Sequence, residues 1–194
     1  MKRSEINLGC RQAMDCFKAH GWSLPPIVLW DVTDHGLGDF GRNGLVLVNL
    51  AAEPEYCEKL IYMRHGQVAP LHTHGKKKED IICRWGKLTV EAWPCRPDEK
   101  SSVKEFPLKR SGEYISVKPG EKLTLEAGER VTLVPGVYHS FWPGDGECII
   151  GEVSTANDDS NDNVFYDPKI NRFSTIEEDE PARFHIVSET PQQS

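Results

Sequence analysis

Three histidines and one glutamate are the residues whose types and spacing point most clearly to chemistry. His72 and His74 stand two positions apart, Glu79 follows five residues later, and His139 lies far downstream. Side chains at i and i+2 of a strand lie on the same face, and a short loop can bring Glu79 back to the same point. Imidazoles and a carboxylate suit a divalent transition metal and leave coordination positions open for a substrate. We therefore predict a metal site formed by His72, His74, Glu79 and His139.

The elements that must position these ligands are short strands. Downstream of Gly44, apolar runs and alternating apolar residues are separated by Gly66, Gly86 and several Pro-Gly or Ala-Gly pairs. Many short strands with regular turns favour a sandwich or closed barrel, and hence a mainly β fold. The predicted strands are 45–50, 57–65, 80–91, 113–117, 122–125, 129–134 and 147–154.

The segment before the strands predicts one N-terminal α-helix. Ile6, Cys10, Ala13 and Phe17 recur at three- and four-residue spacing within residues 4–20, which is the period of an amphipathic helix. We expect this helix to pack on the outside of the barrel.

The length of 194 residues favours a single domain,. We divide it into an N-terminal helical and extended addition (1–44), a barrel core (45–155) and a polar tail that covers the barrel (156–194). The tail begins with a run of Asn, Asp and Ser that cannot build a core, and a last edge strand is expected at 183–187.

Composition and charge exclude several classes of function. The formal net charge of -7 argues against a nucleic-acid partner, which requires a basic face,. No apolar run approaches the roughly 20 residues of a membrane span, and the N-terminus lacks the apolar core of a signal peptide. The six cysteines are scattered without a Cys-x-x-Cys pair, which favours reduced thiols in a cytoplasmic protein over disulfides.

The first block of ligands resembles a known motif. Gly66, His72, His74, Glu79 and Gly86 match the first cupin motif in residue type and spacing. The cupin fold is a jelly-roll barrel, the double-stranded β-helix. The resemblance implies this fold, with the metal and the substrate in the mouth of the barrel.

The second block is an altered version of the second cupin motif. It consists of Gly128, the pair Pro135-Gly136 and His139. The proline and glycine are adjacent where the family keeps one residue between them, and the downstream asparagine is absent. His139 still follows the turn by three residues. In a barrel, facing strands converge on one interior, so this remote histidine can reach the same metal.

Beyond the cupin level, nearly the whole chain resembles the cupin-type D-lyxose isomerases, sugar ketol-isomerases that also accept D-mannose. The general cupin pattern hosts many functions and cannot give the reaction alone. The lysines inside the metal loop and the region after Glu152 narrow the resemblance to this family. The segments that carry it are His72 to Ile82, Arg84 to Gly86, Gly151 to Ser154, Asn157 to Asp159, and Asp162 with Asn163.

This resemblance implies a metal-dependent interconversion of D-lyxose and D-xylulose, with D-mannose and D-fructose as a second pair. Moving hydrogen between adjacent carbons needs a base and an acid. A metal chelated by the carbonyl and hydroxyl oxygens would polarise the carbonyl and stabilise an enediolate. We expect Mn first, with Zn, Fe, Co and Ni as alternatives, and a hydride shift is the alternative to the enediol route.

Glu152 is the predicted catalytic base. Cys148, Ile150, Glu152 and Ser154 share one nearly apolar face of the strand at 147–154,. A carboxylate on that face is expected in the cavity, where partial burial would raise its pKa towards a value useful for proton transfer. The alternative is a structural carboxylate paired with an arginine.

The three lysines between His74 and Glu79 come next. Because both ends of this loop are held by ligands, at least one ammonium group is expected near the metal, where it could donate to a substrate oxygen or relay a proton. The resemblance favours Lys77 as the catalytic lysine, with Lys76 as a substrate-binding residue. A run of lysines is ordinarily a solvated loop, and we expect no more than that of Lys78.

Further candidates for sugar binding lie in the tail and among the tryptophans, of which Trp30, Trp85 and Trp142 could stack on a sugar. Asp162, Asp167 and Arg172 lie in the polar tail, where carboxylates and a guanidinium group could bind hydroxyls, although an ordinary acidic loop fits as well,. Trp85 shares strand parity with Glu79 and is expected to point inward, where it could stack on the sugar or simply pack in the core.

Two other functions fit the same ligands. An iron cupin dioxygenase would use the same metal site with oxygen, and a non-catalytic sugar-binding cupin would bind without turnover. The expected partner is a small-molecule sugar. Exposed barrel edges and the additional helix favour a homodimer.

Overall fold

The computed structural model describes residues 1–99, 102–155, 158 and 161–189. Asn157, Asp159 and the last five residues of the predicted tail, 190–194, lie outside the described residues.

The described chain forms two α-helices, thirteen strands and one short 3₁₀-helix. The helices are α1 Arg3–Ala19 and α2 Phe40–Asn43, and the 3₁₀-helix is Val187–Glu189. The strands are β1 Leu29–Thr33, β2 Leu45–Ala52, β3 Tyr56–Met63, β4 Ala69–His74, β5 Glu79–Trp85, β6 Lys87–Trp93, β7 Phe106–Arg110, β8 Glu113–Val117, β9 Lys122–Glu126, β10 Arg130–Leu133, β11 Tyr138–Pro143, β12 Cys148–Thr155 and β13 Asn163–Phe165.

The strands build two facing antiparallel sheets. One has the order β1-β2-β3-β12-β5-β10-β7-β8, and the other has the order β13-β4-β11-β6-β9. Alternating side chains fill the space between them, as in β6, where Leu88, Val90 and Ala92 are buried and their neighbours are more exposed. Alternation of this kind is what a sheet with one core face requires. The predicted mainly β jelly-roll with an N-terminal helix is confirmed.

The N-terminal helix packs on the outer face of the larger sheet. Its buried face includes Ile6, Cys10, Ala13 and Phe17, which join a second apolar cluster with residues of β2, β3 and β12. The helix begins and ends one residue earlier than predicted.

The strands differ from the predicted ranges in several places. The predicted strand 80–91 is two strands, because Gly86 has a φ of +81° and turns the chain between β5 and β6. Strands β1, β7, β11 and β13 lie outside the predicted ranges, and β4 was expected only in so far as His72 and His74 share a strand. The edge strand expected at 183–187 is absent from the described residues, where Ile186 instead makes one isolated bridge to Trp30 before the 3₁₀-helix.

Two findings bear on the environment of the chain. No helix within the described ranges is long and apolar enough to cross a membrane. The described part of the chain also contains no disulfide.

Candidate active site

Three strands bring the four predicted metal ligands together. His72 and His74 lie on β4, Glu79 begins β5, and His139 lies on β11 directly opposite His72 in the antiparallel register. One ligand atom from each of the four residues lies within 4.8 Å of the others. The parity argument for His72 and His74 therefore holds, and the altered turn before His139 does not prevent convergence.

Backbone carbonyls orient two of the imidazole rings. Nδ1 of His72 lies 2.7 Å from the carbonyl oxygen of Pro70, and Nδ1 of His139 lies 3.1 Å from that of Val137. A protonated Nδ1 that donates to a carbonyl leaves Nε2 as the atom with a lone pair. Both rings are therefore set to present Nε2 to a shared centre.

The buried donor atoms fit a divalent cation. Nε2 of His74, Nε2 of His139 and Oε1 of Glu79 are buried, and Oε1 lies 3.3 Å from the first nitrogen and 2.8 Å from the second. Buried polar atoms this close together are satisfied by a bound cation or by a shared proton. Imidazole and carboxylate donors suit a transition metal.

The protonation states agree with metal binding. Burial, reinforced by neighbouring His139 and His74, holds the pKa of His72 well below its usual range, so its imidazole is neutral. Burial alone would raise the pKa of Glu79, but Lys77 and then His139 keep it well below its usual range. Neutral imidazole and ionised carboxylate are the forms that bind metals.

Lys77 links a predicted metal ligand, Glu79, to the predicted base. Its Nζ lies 2.9 Å from Oε2 of Glu79 and 2.9 Å from Oε1 of Glu152. Burial opposes the charge, but Glu152 and Glu79 raise the pKa of Lys77 above its usual value, so it stays an ammonium ion. Lys76 and Lys78 are exposed. Of the three lysines, Lys77 is the one that faces the predicted metal site.

Asp162 fixes the backbone of the loop between His74 and Glu79. Its two carboxylate oxygens each accept a hydrogen bond of 2.9 Å, one from the backbone N–H of Lys76 and one from that of Lys77. Asp162 is buried, and neither its side chain nor that of Lys76 lines the central cavity. The structure therefore places Asp162 as a clamp on the loop between two predicted metal ligands, His74 and Glu79, which differs from the predicted contact with a sugar.

Glu152 lies on β12 in the cavity, as its strand parity predicted. The expected direction of its pKa shift was wrong. Burial by itself raises the pKa, but Lys59 and then Lys77 outweigh burial and hold the pKa of Glu152 below its usual value. Glu152 is therefore an ionised carboxylate held between two ammonium groups.

A central cavity opens to solvent between the two sheets, and the space between its wall atoms, open solvent included, is about 520 Å³. The metal ligands, Lys77 and Glu152 form part of its wall, and apolar side chains such as Ile61 and Phe141 form another part. Arg172 lines the cavity and pairs with Asp31 of β1. The cavity can thus hold a small polar molecule against the metal ligands with one face on an apolar surface.

Sequence reasoning missed four polar or aromatic residues of the wall: Lys59, His35, Asn163 and Phe165. Lys59 could have been recognised from the alternation of side chains along β3, because it lies on the same inward face as Cys57 and Ile61. Asn163 and Phe165 lie on the three-residue strand β13, which is too short for a periodicity signal.

Trp85 does not point inward, so that prediction was wrong. A β-bulge shifts the register between β5 and β12, so that Cys83 pairs with Ile150 while Trp85 pairs with Ile149. The extra residue reverses the parity. Trp85 consequently packs in the outer cluster, with its ring stacked on His20 at a centroid distance of 3.7 Å.

Known sequences match this chain over most of its length. The family model described as D-lyxose isomerase matches residues 27–190. A D-lyxose/D-mannose isomerase from Escherichia coli O157:H7 is 34% identical over 97% of this chain and 98% of its own length. A D-lyxose/D-mannose isomerase from Serratia proteamaculans is 40% identical over 82% of this chain and 75% of its own length. A D-lyxose ketol-isomerase from Cohnella laeviribosi is 34% identical over 93% of this chain and 100% of its own length.

Solved structures share the fold at much lower identity. The structure of Cellulomonas parahominis L-ribose isomerase with L-ribose superposes with a TM-score of 0.66 and 15% identity, covering 91% of this chain and 98% of that one. The L-ribose isomerase of Acinetobacter sp. DL28 gives a TM-score of 0.66 with 17% identity, at the same coverage of both chains. At such identities the likeness describes the fold alone.

Proposed function

Since the chain belongs to the D-lyxose isomerase family and is a sugar aldose–ketose isomerase, we propose that it interconverts D-lyxose and D-xylulose in a metal-dependent reaction. D-mannose and D-fructose are the second proposed pair. The observation that best supports the proposal is the chain of ion pairs from Glu79 through Lys77 to Glu152, which joins a predicted metal ligand to a carboxylate base in one cavity.

The carbon-bound proton is assigned to Glu152. In an open-chain aldose, the C2–H bond breaks, the proton forms an O–H bond on the Glu152 carboxylate, and the electron pair forms the C1=C2 bond of an enediolate. The same proton then returns to C1, which gives the ketose. The lowered pKa keeps the Glu152 carboxylate ionised at neutral pH, which is the form that can accept the proton from C2,.

The oxygen-bound proton is assigned to Lys77. Its ammonium group donates a proton to O1 and recovers one from the O2 hydroxyl, so that no proton is gained or lost over the cycle. Its contacts of 2.9 Å with both glutamates place the ammonium group between the ligand and the base. A positioned donor of this kind contributes by general acid catalysis.

The metal would be held by His72, His74, Glu79 and His139. When bound, a divalent metal supplies Lewis acidity that polarises the sugar carbonyl. We propose Mn, with Zn, Fe, Co and Ni as alternatives, because carboxylate donors suit Mn whereas imidazole donors also suit the other metals.

A reconstitution assay tests the proposal. Protein stripped with a chelator is reloaded separately with Mn, Co, Fe, Ni or Zn and given D-lyxose or D-mannose, with and without oxygen, and products are identified by NMR. We expect D-xylulose and D-fructose from at least one metal-loaded form, little turnover without metal, and no oxygen requirement. D-xylose and D-glucose, which differ at C2, are the matched control sugars. Absence of a ketose with every metal would contradict the proposal.

For assembly, we propose a homodimer. Strand β8 ends the larger sheet as the structure describes it, and Tyr114 on this strand is 76% exposed. Edge strands with exposed aromatic side chains are suited to pairing with a second chain. Light scattering at several protein concentrations would show a mass of two chains, and a mass of one chain would contradict the proposal.

A further inference from the structure

Lys59 is a buried cation directly beside the proposed base. It lies on β3 opposite Glu152 of β12 in the antiparallel register. Side chains at directly opposite positions lie close enough to interact. Nζ of Lys59 is 3.3 Å from Oε1 of Glu152, and the lysine side chain is 4% exposed. Lys59 also lines the central cavity.

The location of this pair is unusual for a lysine and a glutamate on neighbouring strands. Lys87 of β6 and Glu126 of β9 form the same type of directly opposite pair at 3.1 Å, with side chains 51% and 60% exposed. Burying an ammonium group carries a desolvation cost that an exposed pair avoids. An exposed pair such as Lys87 with Glu126 can therefore link two strands without this cost, so linking β3 to β12 does not by itself account for the buried pair of Lys59 and Glu152.

The second ammonium group at Glu152 is not a substitute for Lys59. Lys77 divides its contacts between Glu79 and Glu152, and in the proposed reaction it also exchanges protons with the sugar oxygens. Both ammonium groups contact the same oxygen, Oε1 of Glu152. One contact comes from β3 and the other from the loop between β4 and β5, so together they restrict rotation of the carboxylate from two sides.

The charges of the cavity agree with this division of roles. The two lysines and the two glutamates cancel in formal charge, so a divalent cation leaves the site positive overall. Proton transfer to Glu152 moves its negative charge onto the sugar within this positive site. Fixed positive groups around a developing anion are the usual source of electrostatic stabilisation in active sites.

We propose that Lys59 is a positioning residue for the isomerisation, which holds the Glu152 carboxylate in a fixed orientation towards the sugar. This inference rests on the proposed function, because it assigns Lys59 a role through the proposed base. It does not require Lys59 to bind the metal or to exchange a proton itself.

The test compares Lys59→Met and Lys59→Arg with the control Lys87→Met in the metal-loaded enzyme. Lys59→Gln replaces Lys59→Met should that variant fail to fold, as judged by circular dichroism. Measurements are kcat and KM for D-lyxose, metal content, and the isotope effect with D-lyxose deuterated at C2. We expect Lys59→Met to lower kcat roughly 10- to 100-fold, as misplacement of a catalytic group does, with unchanged metal content, little change in KM and a primary isotope effect. Lys59→Arg should restore part of the loss, and Lys87→Met should match the wild type.

The outcomes separate this inference from the proposed function. Wild-type turnover in the folded Lys59→Met variant would overturn the role of Lys59 and leave the proposed function intact. A fall in kcat that accompanies loss of metal, that shows no isotope effect, or that Lys59→Arg does not relieve would also overturn it, because the residue would then be merely structural. A wild-type enzyme that isomerises no aldose would overturn both.

Discussion

The charged side chains of the cavity can be buried only because each of them lies beside a group of opposite charge. Lys77 is buried because two carboxylates surround it, and Glu79 stays ionised while buried because Lys77 and the imidazoles surround it. Each charge would be costly without the others. Geometry at the site therefore depends on neighbours such as Asp162 that touch no metal donor atom.

The loop clamp gives a prediction at this scale. Asp162→Asn replaces one of two accepting oxygens by an N–H₂ group that faces a backbone N–H, so one donor loses its partner,. We expect roughly tenfold weaker metal binding, measured by calorimetry on the apo protein, because the loop joins two ligands. Asp167→Asn is the control, since Asp167 also accepts from a backbone N–H but is exposed and outside the cavity wall. Equal affinities of the two variants would contradict the clamp.

His35 gives a prediction about pH. Burial lowers the pKa of His35 from 6.5 to about 4, so the unfolded chain binds more protons than the folded one between these values. The stability that this neutral histidine contributes is present above pH 6.5 and is lost as the pH falls towards 4, by about 3 kcal/mol,. Urea unfolding of apo protein at several pH values should show a weaker pH dependence for His35→Asn than for the wild type. The exposed His185→Asn is the control, and identical curves for all three proteins would exclude this role.

Strand parity predicted the direction of the side chains on β4 correctly but failed on β5. The convergence of His72, His74 and Glu79 could be predicted because the period of two in a strand and the short loop to Glu79 are local properties,. The same parity failed at Trp85, because the bulge at Arg84 depends on pairing with a strand more than sixty residues away. Lys59 followed the parity rule, but nothing local distinguishes an inward lysine from a solvated one.

Gly86 allows the turn between β5 and β6 to be tested. A Cβ at this position would lie 2.5 Å from the carbonyl oxygen of Glu147, and φ is +81°. Gly112 has a similar φ of +97°, but a Cβ there would meet nothing within 4 Å. Gly112→Ala should therefore cost only the backbone strain of about 1 kcal/mol, whereas Gly86→Ala should cost about 3 kcal/mol or more in unfolding free energy. Equal losses in urea unfolding would contradict the close approach.

At the scale of the whole molecule, the segment after β13 ties the N-terminal helix to the barrel. Arg3 of α1 is buried between Glu178 and Glu189, and Ser4 binds Asp179. Upstream of these contacts, Arg172 lies over the cavity. The helix, the tail and the cavity wall are thus one connected unit, and the division into addition, core and covering tail remains a proposal.

Arg3→Met tests this connection. Loss of the guanidinium leaves two carboxylates that are partly exposed, at 58% and 33%, so we expect a loss of about 1–2 kcal/mol in unfolding free energy. Arg11→Met on the exposed side of the same helix should change it little. Denaturant unfolding of both variants measures this difference, and a larger loss for Arg11→Met would contradict the connection.

The assignment of proton transfer to Glu152 is tested most directly by the turnover of Glu152→Gln, a substitution that keeps the shape of the side chain and removes the base. We predict that kcat for D-lyxose falls by roughly 10²- to 10⁴-fold, while metal content by elemental analysis stays that of the wild type. Turnover close to the wild-type rate with a full complement of metal would contradict the assignment of proton transfer to Glu152.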